Sequence, residues 1–187
     1  MLYLCSQSPS RALLLEKFGI AFEQKPVVFD EDAITTTVAK DFVYLASKGK
    51  LAAAEQHYGL ETPLLTADSV IATQSGEILR KPKDIDDARR ILKLQSGAQI
   101  SIVSSVHYKT KNLLFINTLA THYLFAPFDE AELDAYLASG KWQGKAGGCM
   151  VEGFCKKYIQ EVRGYESTAM GLQVETLLPW IRRTDVH

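Results

Sequence analysis

The apolar run PLLTADSVIA at residues 63–72 constrains the fold of this chain more than any other feature. It is nearly all apolar except around Asp68, and polar and apolar residues do not alternate along it. A continuous run of this kind is typical of a strand that is buried on both faces of a sheet. The sequence therefore predicts a central strand at 63–72.

Strand-like and helix-like segments alternate along the first half of the chain, and a hairpin follows. The predicted strands lie at 2–5, 21–29, 63–72, 78–79, 100–108, 113–125 and 157–162, and the predicted helices at 8–19, 38–58, 84–94, 129–140 and 172–181. Early β-α units with a later antiparallel hairpin indicate an α/β fold with a mixed sheet. With 187 residues, we expect one domain, 1–187, or two closely packed lobes.

Composition excludes several classes of protein. The net charge of −1 leaves no overall basic footprint for a nucleic acid polymer, so local lysines and arginines must hold any anionic ligand. The three cysteines, Cys5, Cys149 and Cys155, are too few and too irregular for a disulfide framework, which predicts reduced thiols. No signal-peptide pattern and no apolar run of about 20 residues is present, so we expect a cytoplasmic protein without a membrane partner.

The stretch SQSPSR at residues 6–11 follows the first predicted strand. Ser8 suits the N-cap of a helix and Pro9 its first position. Arg11 falls in the first turn, where the helix dipole disfavours a cation. The stretch is therefore either a capped helix with a solvated arginine or part of a phosphate site, because helix N-termini bind anions.

Asp68 is a lone carboxylate inside an apolar strand, where its desolvation is costly. It is tolerated if it contacts a cation, takes up a proton, or lies at the carboxyl end of the strand beside a cleft. A structural hydrogen-bonding role is the alternative.

Further carboxylates and lysines could complete a phosphate site. Asp30, Glu31 and Asp32 are either a solvated acidic turn or a source of Mg²⁺ ligands, because Mg²⁺ prefers carboxylates combined with phosphates. Candidate phosphate clamps, each of which could equally be a surface lysine, are Lys48, Lys50, Lys81 and Lys145. The glycine-rich loop 144–148 allows a backbone to approach a ligand closely. No Ser-His-Asp set is convincing, which favours water as the nucleophile.

Together these segments resemble the Maf family of nucleoside triphosphate pyrophosphatases, over nearly the whole chain. The motifs that carry the resemblance are SQSPSR at 6–11, Asp30-Glu31, Lys50, Ala67-Asp68-Ser69-Val70, Arg80-Lys81-Pro82 and Gly144-Lys145-Ala146-Gly147-Gly148. The resemblance implies a two-lobed mixed sheet with flanking helices and a central cleft, often in a homodimer. It also implies cleavage of a nucleoside triphosphate to the monophosphate and pyrophosphate, with Mg²⁺ or Mn²⁺ as cofactor.

The resemblance also implies roles for single residues. Asp68 would be the proton acceptor and, with Glu31, would hold the metal. Lys50 and Lys81 would act beside it in catalysis. The substrate-binding residues would be Ser6, Ser8, Arg11, Ser69, Lys145 and Glu152.

This sequence departs from the family pattern at three places. Ser10 replaces the first arginine of the usual pair, and Val151-Glu152-Gly153 replaces the usual Ile-Gln-Gly. The stretch ESTAMGL at 166–172 replaces the usual Asn-Val-Val-Gly-Leu-Pro. Arg11, Ser69 and Glu152 match positions that help select the base, and the stretch at 151–154 looks closer to the 7-methyl-GTP group of the family. A 7-methyl-GTP-specific enzyme and a nucleotide-binding regulator of cell division with little catalysis therefore stay as alternatives.

Overall fold

The computed structural model of the protein describes residues 1–149, 151 and 153–184. Its helices and strands are, in chain order, β1 Leu2–Leu4, α1 Pro9–Lys17, β2 Phe22–Gln24, α2 Ala39–Tyr58, β3 Leu64–Thr73, β4 Ile78–Leu79, α3 Ile85–Gln95, β5 Gln99–Lys109, β6 Leu114–Phe125, α4 Glu130–Ala138, β7 Ile159–Arg163, α5 Glu166–Ala169 and α6 Val174–Thr184. Short 3-10 helices lie at Glu31–Ala33, Ala146–Gly148 and Phe154–Tyr158. These elements confirm the predicted α/β class.

The predicted central strand is confirmed as β3. The described strands form one mixed sheet in the order β2-β1-β3-β5-β6-β7, with β4 paired to β3. β5 runs antiparallel along the whole of β3, whereas β1 runs parallel to β3 only as far as the pair Leu4 and Leu65. β4 then pairs with Ile71 and Ala72. Between these contacts, the edge of β3 at residues 66–70 is open, because no described strand covers it.

Local capping signals in the sequence set the helix boundaries. The Ser8 hydroxyl accepts a hydrogen bond from the Arg11 N–H at 3.4 Å, Pro9 is the first helical residue, and Gly19 follows the helix at φ 67°. This confirms the predicted start and end of α1. The strand predicted at 21–29 is shorter, because its pairing with β1 ends where Leu4 meets Gln24.

Side chains of β3 alternate between two apolar layers. On one face, Phe42, Val43 and Ala46 of α2 pack against Val70 of β3 and Val103 of β5. On the other face, residues of α1 and α6 pack against Leu65 and Ala67. Because successive strand residues point to opposite faces, Asp68 faces α2 and Ser69 faces the layer of α1 and α6.

The expectation of reduced thiols is corrected for two of the three cysteines. The structure pairs Cys149 with Cys155 in a disulfide, with their Cα atoms 6.3 Å apart, a separation usual for disulfides. Both residues belong to one apolar cluster. Cys5 is free and buried, and burial raises the pKa of its thiol to about 11.

Within the described residues, no helix combines the length and the apolar character that a membrane span requires.

A buried polar chain links α2 to the sheet. A ring nitrogen of His107 on β5 is hydrogen-bonded to the Ser47 hydroxyl at 2.9 Å, and the Thr66 hydroxyl of β3 donates to the Ser47 carbonyl at 2.9 Å. His107 is 1% exposed, and burial, assisted by the charge of Lys48, lowers its pKa from 6.5 to about 4. His107 is therefore neutral in the folded protein at neutral pH.

This buried histidine makes a testable contribution to stability against acid. Between pH 6.5 and 4 the unfolded chain takes up a proton at His107 and the folded chain does not, so stability falls as the pH falls. We expect a loss of about 3 kcal/mol across this window. Urea unfolding from pH 7 to pH 4 should show this loss in the wild type and a flatter dependence in His107→Gln. The exposed His57→Gln is the control, and parallel curves for wild type and His107→Gln would contradict the assignment.

Candidate active site

Three predicted residues meet around a single ammonium group. Lys50 of α2 donates to Glu31 Oε1 at 2.5 Å and to Asp68 Oδ1 at 2.6 Å. Glu31 begins the 3-10 helix that precedes α2, and Asp68 lies on the open stretch of β3. The side chain of Asp68 is 8% exposed and that of Lys50 is 17% exposed. The site is thus a partly buried cation held between two carboxylates.

Asp68 is tolerated within the apolar strand because a cation contacts it. It lies in the middle of β3 and not at the carboxyl end, so the strand-end alternative is wrong. Burial raises the pKa of Asp68, and the charges of Lys50 and Arg11 oppose that rise. A carboxylate with a raised pKa is a better proton acceptor than an ordinary one.

Arg11 is engaged within the protein and is not a solvated first-turn cation. Its guanidinium donates to the Ser6 hydroxyl at 2.9 Å, to the Ser69 hydroxyl at 3.2 Å and to the Gly171 carbonyl at 2.8 Å. Burial lowers its pKa, whereas the charges of Asp68 and Glu31 raise it. Arg11 therefore joins the start of α1 to β3 and to the chain that precedes α6.

The cluster of Arg11, Ser6, Ser69 and Gly171, here called the Arg11 cluster, extends to Ser104, which no sequence motif indicated. The hydroxyls of Ser69 and Ser104 are 2.6 Å apart, and Ser104 donates to the Thr168 carbonyl at 2.8 Å. Ser104 faces Ser69 because β3 and β5 pair in that register. No local motif marks Ser104, so only the strand pairing could have identified it.

The glycines of the glycine-rich loop were expected to allow close approach to a ligand. In the structure, Gly147 and Gly148 instead pack against protein side chains. Gly147 and Gly148 are buried at φ 64° and 63°. A Cβ on Gly147 would lie 2.5 Å from a methyl carbon of Ile71, and one on Gly148 would lie 3.1 Å from Pro82. The Gly147 N–H also donates to the Arg80 carbonyl at 3.0 Å. The small residues thus bring the loop against β3 and the Arg80-Lys81-Pro82 segment.

The remaining predicted residues do not contact the carboxylates. Ser8 lies next to the Arg11 cluster, since its N–H donates to the Ser6 hydroxyl at 3.2 Å. Lys81 is exposed and Lys145 is half-buried, and both lie beside the contact between the loop and Arg80. Lys48 is exposed, with its ammonium 5.8 Å from the centre of the Tyr44 ring. Glu152 lies outside the described residues.

The donor set fits a metal that arrives with phosphates. Glu31 and Asp68 both reach the ammonium of Lys50, so their carboxylates face one another. Within the residues that the structure describes, no group of three or more His, Cys, Asp or Glu side chains could hold a metal alone. Mg²⁺ is usually held by one or two carboxylates together with substrate phosphates and water, which matches this set.

Fold and site together define a class of α/β proteins with a carboxylate-lysine site on an open strand edge. A solved Mycobacterium abscessus structure titled nucleoside-triphosphatase / dITP/XTP pyrophosphatase has this fold, with a TM-score of 0.50 and 16% identity, covering 100% of this chain and 98% of that one. The family described as Maf-like protein matches residues 1–184. This chain belongs to the Maf family, which confirms the predicted resemblance.

Two relatives agree with this assignment. A protein of a Nitratiruptor species, named nucleoside triphosphate pyrophosphatase, is 54% identical over 95% of this chain and 96% of its own length. A Helicobacter pylori protein of the same name is 38% identical over 95% of this chain and 93% of its own.

Two glycines of the loop test whether its packing matters. Gly147→Ala and Gly144→Ala both place a side chain at positive φ, which costs about 1–2 kcal/mol in each. Only Gly147→Ala also meets Ile71, which we expect to cost a further ~1–3 kcal/mol. Thermal unfolding should therefore show the larger loss for Gly147→Ala. Equal losses in the two variants would mean that the contact with Ile71 contributes nothing.

Proposed function

We propose that this protein hydrolyses the α–β phosphoanhydride of a nucleoside triphosphate and releases the monophosphate and pyrophosphate. The chain is an enzyme of the class to which its relatives' names assign them, the nucleoside triphosphate pyrophosphatases. The observation that carries the proposal is the contact of Lys50 with both Glu31 and Asp68 beside Arg11. A protein that only bound nucleotides would gain nothing from a buried carboxylate close to the phosphates.

The cations of the site would neutralise the triphosphate. Lys50 and Arg11 are partly buried positive groups, and the start of α1 adds the Ser8 hydroxyl and backbone N–H groups. The segments that carry Lys81 and Lys145 contact each other, through the hydrogen bond from the Gly147 N–H to the Arg80 carbonyl. Neither lysine forms an ion pair within the described chain, so both could turn toward phosphates. Positive groups in these places also stabilise the charge that develops as pyrophosphate leaves.

Asp68 would take the proton of the attacking water. Its pKa is raised mainly by burial, and Lys50 holds one of its oxygens in a fixed place. As the oxygen of water bonds to the α-phosphorus, its proton passes to Asp68 and the bond to the pyrophosphate oxygen breaks. Asp68 then returns the proton to solvent, so the net reaction consumes one water.

Glu31 and Asp68 would hold a divalent metal, Mg²⁺ or Mn²⁺, once the triphosphate supplies further oxygen ligands. Bound there, such an ion supplies Lewis-acid polarisation of the phosphate oxygens. Lys50, which contacts both carboxylates, would keep them close to one another. A homodimer and a cytoplasmic location belong to the same proposal.

Asp68→Asn tests the proton acceptor. The amide keeps the shape of the side chain and cannot accept the proton, so we expect turnover to fall ~10²-fold or more. Asp32→Asn, an exposed carboxylate that contacts Arg80, is the matched control and should keep wild-type turnover. Circular dichroism should show the same fold in both variants. Near-normal turnover of Asp68→Asn would contradict its role.

A substrate panel tests the reaction and the base. The purified protein with Mg²⁺ should release pyrophosphate, and not orthophosphate, from at least one of dTTP, UTP, GTP and 7-methyl-GTP. Release from 7-methyl-GTP alone would support the specific enzyme of that group. Tight binding of a nucleotide without pyrophosphate release would support the regulator. Orthophosphate as the only product would indicate a phosphatase instead.

A further inference from the structure

Gly49 is an unexpected residue in the interior of α2. Glycine is among the least favourable residues inside a helix, and Gly49 directly precedes Lys50. Its φ angle is not positive, so the backbone conformation does not require glycine. A glycine is instead required here if a neighbouring side chain occupies the space beside the helix.

The ring of Phe29 occupies the place of a side chain at Gly49. A Cβ on Gly49 would overlap three carbon atoms of that ring. Phe29 is half-buried and packs against the apolar cluster formed by α2 and β3. The missing side chain therefore forms a notch on α2 that receives Phe29.

The notch lies beside the contact that holds Glu31. Phe29 is two residues before Glu31 and Gly49 is one residue before Lys50, so the ring contact and the ion pair join the same two segments. The intervening Asp30 caps the 3-10 helix by accepting from the Asp32 N–H at 3.0 Å. A shift of the ring away from α2 would thus move Glu31 away from Lys50.

Other polar contacts of the acidic segment, residues 30–32, restrain it only weakly. Arg80 donates to Asp32 at 2.8 Å, but their side chains are 47% and 88% exposed. Exposed ion pairs contribute little to holding a segment in place. Val28, on the other side of Phe29, is 93% exposed. Two apolar side chains anchor this segment, Phe29 before Glu31 and Ile34 after the 3-10 helix, because both pack against the same apolar cluster. Of the two, the Phe29 ring contacts α2 directly beside Lys50.

We propose that Phe29, seated in the notch at Gly49, is a positioning residue that holds Glu31 where it can bind the metal of the metal–triphosphate substrate. This inference rests on the proposed function for the role of Glu31. The dependence of the acidic segment's position on the notch is a structural claim, and it does not rest on the proposed function.

A double-mutant cycle separates the notch from general stability. The variants are Gly49→Ala, Phe29→Ala and both together, with Ala52→Gly as the matched control on the exposed face of α2. We expect Gly49→Ala and Phe29→Ala each to raise the Mg²⁺ concentration for half-maximal pyrophosphate release about 10-fold or more, with a smaller change of kcat at saturating Mg²⁺. Adding Gly49→Ala to Phe29→Ala should change nothing further. Ala52→Gly should lower the melting temperature without changing the Mg²⁺ dependence.

Amide hydrogen exchange gives a readout that does not depend on activity. The Ile34 N–H donates to the Glu31 carbonyl at 3.2 Å and reports on the 3-10 helix. Its exchange should accelerate in Gly49→Ala and in Phe29→Ala and stay at the wild-type rate in Ala52→Gly. Exchange at the wild-type rate in both single variants would contradict the claim that the notch holds the acidic segment in place.

Accelerated exchange with unchanged Mg²⁺ dependence would contradict the role of the notch in metal binding. A wild-type protein that releases no pyrophosphate would refute the proposed function alone, because the exchange measurements would still test whether the notch holds the acidic segment in place.

Discussion

The contact between Lys50 and Asp68 is the interaction on which the rest of the site depends. A carboxylate within the most buried strand of the sheet would be strongly destabilising without a nearby cation. Lys50 reaches it because α2 lies across β3 with an apolar face against Val70 and Val103. The packing of α2 on the sheet thus also places the cation that compensates the charge of Asp68.

The edge of β3 beside this pair is not covered by any described strand. β1 is three residues long, and after its end the chain turns into SQSPSR and α1 instead of continuing along β3. Asp68 and Ser69 point to opposite faces of the sheet at this edge. Residues from both layers, Lys50 on one side and Arg11 on the other, therefore converge on a single place.

Local signals predicted the parts of the site, and long-range packing decided how they meet. The cap at Ser8 and the apolar run at 63–72 depend on neighbouring residues, so the sequence was sufficient to predict them. The contacts of Arg11 with Ser69 and Gly171 span 58 and 160 residues, and no local pattern encodes them. The glycine-rich loop shows the same limit, because its glycines suggest a ligand but face Ile71 and Pro82.

Charge balance at the site explains why residues beyond the central cluster are needed. Glu31 and Asp68 are matched by Lys50 and Arg11, so the cluster is close to neutral before a ligand binds. A triphosphate would add several negative charges, more than Lys50 and Arg11 can balance, and Lys50 also contacts both carboxylates. In the proposed function, the additional positive charge comes from the metal ion and from lysines outside this cluster. Lys81 and Lys145 form no ion pair within the part of the chain that the structure describes, and the buried glycines keep their two segments together.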